Sequence, residues 1–308
     1  MHSLIINLDL SIEKRYENII KLFDVKTASK NLNEIYENFL PKIPMVNNMI
    51  SLSVKANKKK IMYKDEIKYW SKILDLPFHK IMILQLLFEL YAGCTTVVHK
   101  NVMYRTMDWP LDFMRDITYE AKFVKNSKTI YEGVCWLGCV GIFTAKNEEF
   151  SIAINHRKIK TKTVFDYVKG LFTKYSNAIS TYWPVSYVVR HIFENQLSKF
   201  EAFSMLNGQA VISPTYYILN YFENLQPVIF QRDMKSCARI SGDYVIQTNA
   251  DNDTIDTDNF MHSKERFLYI KNLIDEGKNI TDNFEKEPVV NKSTIYTCIM
   301  SKDSIRLV

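Results

Sequence analysis

The first 93 residues contain no cysteine, and the rest of the chain holds an odd number, Cys94, Cys135, Cys139, Cys237 and Cys298. No disulfide can tie the leading segment to the remainder of the chain, and the count argues against a disulfide scaffold. Long apolar runs are missing as well. The longest, IMILQLLFELYA at 81–92, is interrupted by Gln85 and Glu89. It falls short of the roughly 20 residues of a membrane span and reads as a buried helix. The opening MHSLIINLDLSIEKRYENI lacks the basic start, unbroken apolar stretch and small-residue cleavage site of a secretory signal, so the expectation is a protein that stays inside the cell. Sequons at Asn252, Asn279 and Asn291 are what so asparagine-rich a chain holds by chance. There is no glycine-rich phosphate loop, no internal repeat and no low-complexity linker. Cys135 and Cys139 have the spacing of half a metal site, but no second pair occurs further on, so no metal and no cofactor are expected.

What is present fits an ordinary globular protein of one large domain or two modest ones: 308 residues, 47% hydrophobic and 24% charged. The net charge of +6 is uneven, with 14 Lys/Arg against 10 Asp/Glu in residues 1–93 and near balance beyond. Lys60, Lys64, Lys68 and Lys72 recur every four residues, with Ile61, Ile67, Trp70, Ile73 and Leu74 interleaved at helical spacing. This amphipathic helix is either a solvated face on a core-packed element or a surface for an anionic membrane at the mouth of a lipid site. No recognition motif for nucleic acid accompanies the modest basicity.

Residues 1–93 read mostly as helix, in IEKRYENIIKLFD, ASKNLNEIYENFL, the lysine-striped segment and LPFHKIMILQLLFELYAG, which ends on Gly93. From Cys94 the pattern turns to strands. CTTVVHKNVMYRTMDW predicts two strands about a turn at Lys100 and Asn101, and further strands are expected at ITYEAKFVKN, KTIYEGVCWLGCVGIFTAK and FSIAINHRK. Helices are expected at 163–177, 183–206 and 262–277, separated by strands at 210–221, 227–233 and 241–249. Strand runs with helices grouped between them suggest antiparallel sheets covered by helices, an α+β layered domain.

The stretch YAGCTTVV places Cys94 directly after Gly93, where the helix pattern meets a strand. Taken alone, Cys94 is an interior thiol as readily as a nucleophile. Arg105 and Asp108, in YRTMDWP, would return along a hairpin beside it, where they can orient a thiol and hold an amino group, or form a surface ion pair. His99, His191 and His262 are isolated in sequence, leaving a Cys–His dyad as a minor alternative. Trp109, Trp136 and Trp183 either fill the core or line an acyl pocket.

Pieces spread over nearly the whole chain occur in the order of a known family. They are INLDLSIEKRY (6–16), LPFHKIMILQLLFELYAGCTTVV (76–98), RTMD (105–108), GCVGIFTA with FSIAINHR, WPVSYVVRHIFEN, FQRD and VIQTNAD. The sequence resembles the acid ceramidase and N-acylethanolamine-hydrolysing acid amidase family of N-terminal nucleophile hydrolases. The resemblance implies a four-layer αββα sandwich in a single domain. It also implies self-cleavage between Gly93 and Cys94, giving a helical segment 1–93 and a catalytic segment 94–308 that stay associated by packing alone. Cys94 would then be the nucleophile and its freed α-amine the base, with Arg105 and Asp108 holding both and Asn249 donating to the oxyanion. His156 stands where the family has a glutamate in Asn-Glu-Arg, beside Arg157. The glutamate is associated with self-cleavage at acid pH, and a histidine, which titrates near pH 6.5, would shift maturation towards neutral or slow it. The hairpin between Cys94 and Arg105 is shorter than the family's, and Ala250 and Asn252 replace its Tyr and His. The implied activity is hydrolysis of an N-acylethanolamine or ceramide-like lipid. The alternatives are a non-lipid amide, such as a bile-acid or acyl-amino-acid conjugate, and a lipid-binding protein that has lost self-cleavage. The family's usual compartment is the acidic lysosome.

Overall fold

The computed structural model of the chain describes residues 3–39, 61–87, 92–158, 182–223, 225–257 and 259–307. The helix expected at 163–177 and Lys60 lie outside these residues.

Two sheets stack face to face. The larger runs in the order β1 (Ser3–Asn7), β4 (Thr118–Lys125), β5 (Lys128–Trp136), β6 (Thr144–Lys146), β7 (Phe150–His156), β8 (Thr215–Tyr221), β9 (Val228–Arg232) and β10 (Cys237–Ser241). The smaller runs β11 (Tyr244–Gln247), β2 (Gly93–His99), β3 (Val102–Asp108), β12 (Thr294–Met300) and β13 (Ile305–Leu307). All neighbours are antiparallel except β1, which adds parallel to β4. Outside the larger sheet lie α1 (Ile12–Ile20), α2 (Val25–Phe39), α3 (Lys64–Ile73), α4 (Phe78–Leu87), α5 (Val185–Glu194) and α6 (Lys199–Gly208); α7 (Ser263–Asp275) covers the smaller one. This is the αββα sandwich that the resemblance implied.

Local chemistry explains the elements. Lys100 and Asn101 both have positive φ, 51° and 61°, the left-handed pair that a two-residue hairpin needs to match strand twist. Asn126 and Ser127 repeat the device between β4 and β5. The expected helix at 183–206 is two helices: α5 ends at Glu194, Gln196 takes a positive φ, and Ser198 opens α6 with a capping box to Glu201. The long strand expected at 128–146 breaks after Trp136, where Gly138 has a φ of 81°. Gln85 of α4 fixes that break, donating to the Gly138 carbonyl at 2.8 Å and accepting from the Val140 N–H at 2.8 Å. Gly93, expected at a helix end, is already in β2. The strands β1, β10, β12 and β13 were not anticipated.

The layers are held by aromatic and aliphatic packing. Phe193 of α5 stacks on Tyr131 of β5 and Phe150 of β7, with ring centroids 5.5 and 5.3 Å away. Across the smaller sheet, Val97, Tyr104 and Ile246 pack against Ile270 and Leu273 of α7. In α3 the exposed Lys68 and Lys72 and the half-buried Lys64 lie opposite the buried Ile67, Tyr69 and Trp70, so the described part of the lysine stripe is the polar face of a core-packed helix.

Packing alone does not join residues 1–93 to the rest. Glu66 of α3 accepts two 2.7 Å hydrogen bonds from Arg190 of α5, and Arg15 and Tyr16 of α1 reach the same carboxylate at 2.7 and 3.0 Å. Burial alone would push the Glu66 carboxyl up; the Arg190 and Arg15 guanidinium groups outweigh it and hold the carboxyl below its ordinary range. Replacing Glu66 by Ala strands a buried guanidinium and should cost about 3–5 kcal/mol in urea denaturation, whereas the Glu66→Met, Arg190→Met pair should recover most of that. The difference should narrow as the solution is acidified, because the wild-type carboxylate then loses its own contribution.

Candidate active site

Strand alternation sorts the residues around Cys94 onto two faces of the smaller sheet. Cys94 and Thr96 face the larger sheet, where the Thr96 hydroxyl donates to Asn155 Oδ1 of β7 at 2.7 Å. Gly93, Thr95 and Val97 face α7, where Arg266 Nη1 donates to Thr95 Oγ1 at 2.7 Å. In β3 the same rule separates Arg105, opposite Thr96, from Asp108, opposite Gly93. The RTMD step therefore places its arginine beside the thiol and its carboxylate beside the Gly93–Cys94 backbone, on the other face.

Cys94 is fully buried. Its Sγ lies 3.5 Å from Met107 Sδ, 3.6 Å from Arg105 Nη2 and 3.9 Å from the Ile154 carbonyl oxygen. Burial pushes the thiol above its ordinary pKa, while the Arg105 guanidinium and the His156 backbone N–H favour the thiolate without cancelling that effect. Arg105 is in turn held by Asn155, whose Oδ1 accepts from Nη1 at 3.2 Å.

Asn249 sits two residues past β11, with its backbone N–H donating to Ser263 Oγ at 3.0 Å. Its carboxamide holds the backbone on both sides of Gly93. The Oδ1 accepts the Cys94 backbone N–H at 2.8 Å, and the Nδ2 donates to the Ala92 carbonyl at 3.1 Å and the His156 carbonyl at 2.8 Å. Arg266 completes the arrangement, donating to Asn249 Oδ1 at 2.8 Å and to the Cys94 carbonyl at 2.5 Å. Sequence reading missed Arg266. Its signal was the spacing Ser263, Arg266, Ile270, Leu273, which puts an arginine on the buried stripe of α7.

Asp108 accepts a 2.6 Å hydrogen bond from the Thr294 hydroxyl, and burial raises its carboxyl above the usual range despite that bond. A Cβ at Gly93 would stand 3.2 Å from Asp108 Cβ, close enough that the aspartate would have to shift by a few tenths of an ångström. His156 contributes backbone to the site, and its ring centroid lies 6.2 Å from that of Phe260. Arg157 stands away from the thiol as a clamp. Its Nε and Nη2 each meet a carboxylate oxygen of Asp251 at 2.7 Å, and its Nη1 meets Asp233 at 3.0 Å, so the NHR, FQRD and TNAD stretches converge on one guanidinium. Trp109 and Trp136 are buried with ring centroids 6.2 Å apart, and Trp183 lies against His191. None of the three lines the cavities beside Cys94, Gly93 or Asn249. The space at the thiol is about 10 Å³, bounded by Ala92, Met107, His156 and Pro214 among others. Among the described residues, no group of three or more His, Cys, Asp or Glu side chains is placed to hold a metal ion.

An uncharacterized protein of Acanthamoeba polyphaga mimivirus is 31% identical over 310 residues, spanning 94% of this chain and 93% of its own. A probable acid ceramidase of Caenorhabditis elegans is 26% identical and the human acid ceramidase 24%, each over 96% of this chain and 82% of theirs. The chain belongs to the acid ceramidase and N-acylethanolamine-hydrolysing acid amidase family. Members of the family are hydrolases of linear amides, and this chain is an enzyme of that class. A Caenorhabditis elegans N-acylethanolamine-hydrolysing acid amidase ortholog shares its fold, with a TM-score of 0.58 over 68% of this chain and 94% of that one, at 22% identity. No protein-family model matches the chain.

The buried Asp108 gives this family member a pH signature. Because its folded carboxyl titrates above the unfolded value of about 3.9, the contribution of Asp108 to stability is fully present below that value and is lost as pH rises through the folded one. In a Cys94→Ala background, Asp108→Asn should raise the thermal midpoint by a few degrees at pH 7, and the gain should vanish at pH 3 in a calorimetric scan.

Proposed function

We propose that the protein hydrolyses the amide of an N-acylated lipid, an N-acylethanolamine or ceramide-like amphiphile, with Cys94 as an N-terminal nucleophile freed by self-cleavage at Gly93–Cys94. The observation that carries the reading is the Asn249 carboxamide, which holds the Cys94 amide and the Ala92 carbonyl while the thiol stands beside Arg105. The relatives' names supply the lipid amide; the residues supply a route.

In maturation the thiol adds to the Gly93 carbonyl, the carbon–nitrogen bond breaks, and the thiol proton passes to the leaving nitrogen. The product is a Gly93 thioester and a free α-amine on Cys94. Water then cleaves the thioester, giving the Gly93 carboxylate and restoring the thiol, and leaves segments 1–93 and 94–308. Departure of Ala92 releases the Asn249 Nδ2 donor that it occupied. In turnover the α-amine, whose ordinary pKa is near 8, takes the thiol proton. Asp108 holds that amine, and Arg105 stabilises the thiolate. The Asn249 Nδ2 and the His156 N–H receive the oxyanion, and Arg266 keeps Asn249 in place. The amine half leaves with the proton, and water releases the fatty acid from the acyl-thioester.

A second reading, a lipid-binding protein without turnover, draws on His156 in the family's glutamate position and on the roughly 10 Å³ of space at the thiol. Intact mass after incubation from pH 4 to 8, with a fluorogenic acyl amide assay alongside, separates the two. Wild type should split between Gly93 and Cys94 and then turn over, Cys94→Ala should do neither, and Asn249→Ala should lose about 10²–10³ in kcat once cleaved. An intact, inactive wild type at every pH would sink the amidase and leave the binding protein.

A further inference from the structure

A bulge in β12 lets that strand serve both faces of the smaller sheet beside Cys94. Thr294 pairs with Asp108 and Tyr296 with Met107, so one extra residue, Ile295, lies between two successive pairs. On an unbroken strand Thr294 and Tyr296, two apart, would share a face. The bulge parts them. The Thr294 hydroxyl meets Asp108 at 2.6 Å on the α7 face, whereas the Tyr296 hydroxyl meets Thr144 Oγ1 of β6, in the larger sheet, at 2.8 Å. Tyr296 thereby ends a row of three strand neighbours, Cys94, Met107 and Tyr296, on the face that holds the thiol. Arg105 lies on that face too, diagonally across from Tyr296. Burial works against its guanidinium charge, and the groups that most restore that charge are the Tyr296 hydroxyl, which also hydrogen-bonds it, and the Cys94 thiol, not a carboxylate.

We infer that Tyr296 is a positioning residue for Arg105: anchored on Thr144 in the larger sheet, its hydroxyl holds the guanidinium towards Cys94 Sγ without neutralising it. The inference rests on the amidase reading of Cys94. Whichever hydroxyl donates in the Tyr296–Thr144 bond, the phenol oxygen keeps a lone pair for an Arg105 N–H. Asn155 Oδ1 holds Nη1 at 3.2 Å from another side, and Nη2 is left to the two sulfurs, Cys94 Sγ at 3.6 Å and Met107 Sδ at 3.8 Å. The choice of a phenol has a chemical reason. A carboxylate at that place would orient the guanidinium equally well but would also satisfy its charge. A neutral acceptor leaves the charge for the thiolate that forms when the α-amine takes the proton. Tyr296 is itself buried, so its ring is held by packing and its hydroxyl stays where the bulge aims it. The bulge thus gives Asp108 and Arg105, which face opposite ways, one supporting strand.

The test follows kcat and KM of the self-cleaved protein on a fluorogenic acyl amide across its pH range. Tyr296→Phe removes one oxygen and keeps the ring. It should lower kcat about tenfold with KM within about twofold, as expected when an interaction of the transition state is lost. It should also move the acid limb of the kcat/KM profile up by roughly half to one pH unit, because a guanidinium that drifts from Sγ favours the thiolate less. Thr144→Val, which keeps the phenol and removes its anchor, should move the limb the same way by less. In an Arg105→Lys background, where no fork remains to be oriented, Tyr296→Phe should change kcat by less than about twofold. An unmoved acid limb in Tyr296→Phe, or the same fold loss in the Arg105→Lys background, would make Tyr296 a packing residue and overturn this inference while leaving the amidase standing. Should Tyr296→Phe fail to mature, the acid limb of Thr144→Val decides: displaced upward it supports the inference, unmoved it overturns it. A wild type that neither splits nor turns over at any pH would overturn the amidase reading as well.

Discussion

The Asn249 carboxamide is the constraint around which the site is arranged. A primary amide offers one oxygen and two N–H groups, and here all are used: the Cys94 N–H and an Arg266 N–H on the oxygen, the Ala92 and His156 carbonyls on the nitrogen. The side chain therefore ties together β2, the end of β7 and the start of α7, elements from both sheets and an outer layer. It does so only if its own loop is fixed, and the Arg157 clamp on Asp251 and Asp233 fixes it from below. Asn155 performs the matching task inside the sandwich, accepting from Thr96 and Arg105 and donating to the Gln247 carbonyl just before the loop.

Burial sets the electrostatic character of this arrangement. The Cys94 thiol and the Asp108 carboxyl are both held towards their neutral forms in the continuous chain, each by desolvation that its partners only reduce. The thiol and the carboxyl lie on opposite faces of one strand pair, with the Gly93–Cys94 peptide between them. In the continuous chain about 10 Å³ is free at Sγ, and Asn249 holds the Cys94 N–H and the Ala92 carbonyl beside it.

Much of this was legible in the sequence, and the reason differs from part to part. The motif pieces around Cys94, Asp108, Arg157 and Asn249 could be found because each short run resembles a family's motif and the pieces follow in the family's order; their spacing alone gives no role. Arg266 was hidden because its neighbours in sequence are those of an ordinary amphipathic helix, and only the fold shows what lies under that face. The strand β1 was overlooked because five residues, Ser3–Asn7, with Ile6 buried and Ile5 exposed, are too few for a periodicity to assert itself. The opposite faces of Arg105 and Asp108 come from their odd spacing on a strand, a rule that needs the strand to be known before it can be applied. The break at Gly138 and the restart at Ser198 depend on left-handed backbone and a capping box, signals that periodicity overrides when a run is read as a whole.

The Glu66–Arg190 contact and the β1–β4 pairing both cross the Gly93–Cys94 bond. A continuous chain forms them within one molecule, at an effective concentration set by its own tether. In a chain cut at that bond the same contacts become an association between two molecules. Its folding then turns second order, and its stability comes to depend on how much protein is present. Dilution, which leaves the uncut chain untouched, becomes for the cut one a denaturing condition, and Glu66 marks where the two pieces would have to find each other again.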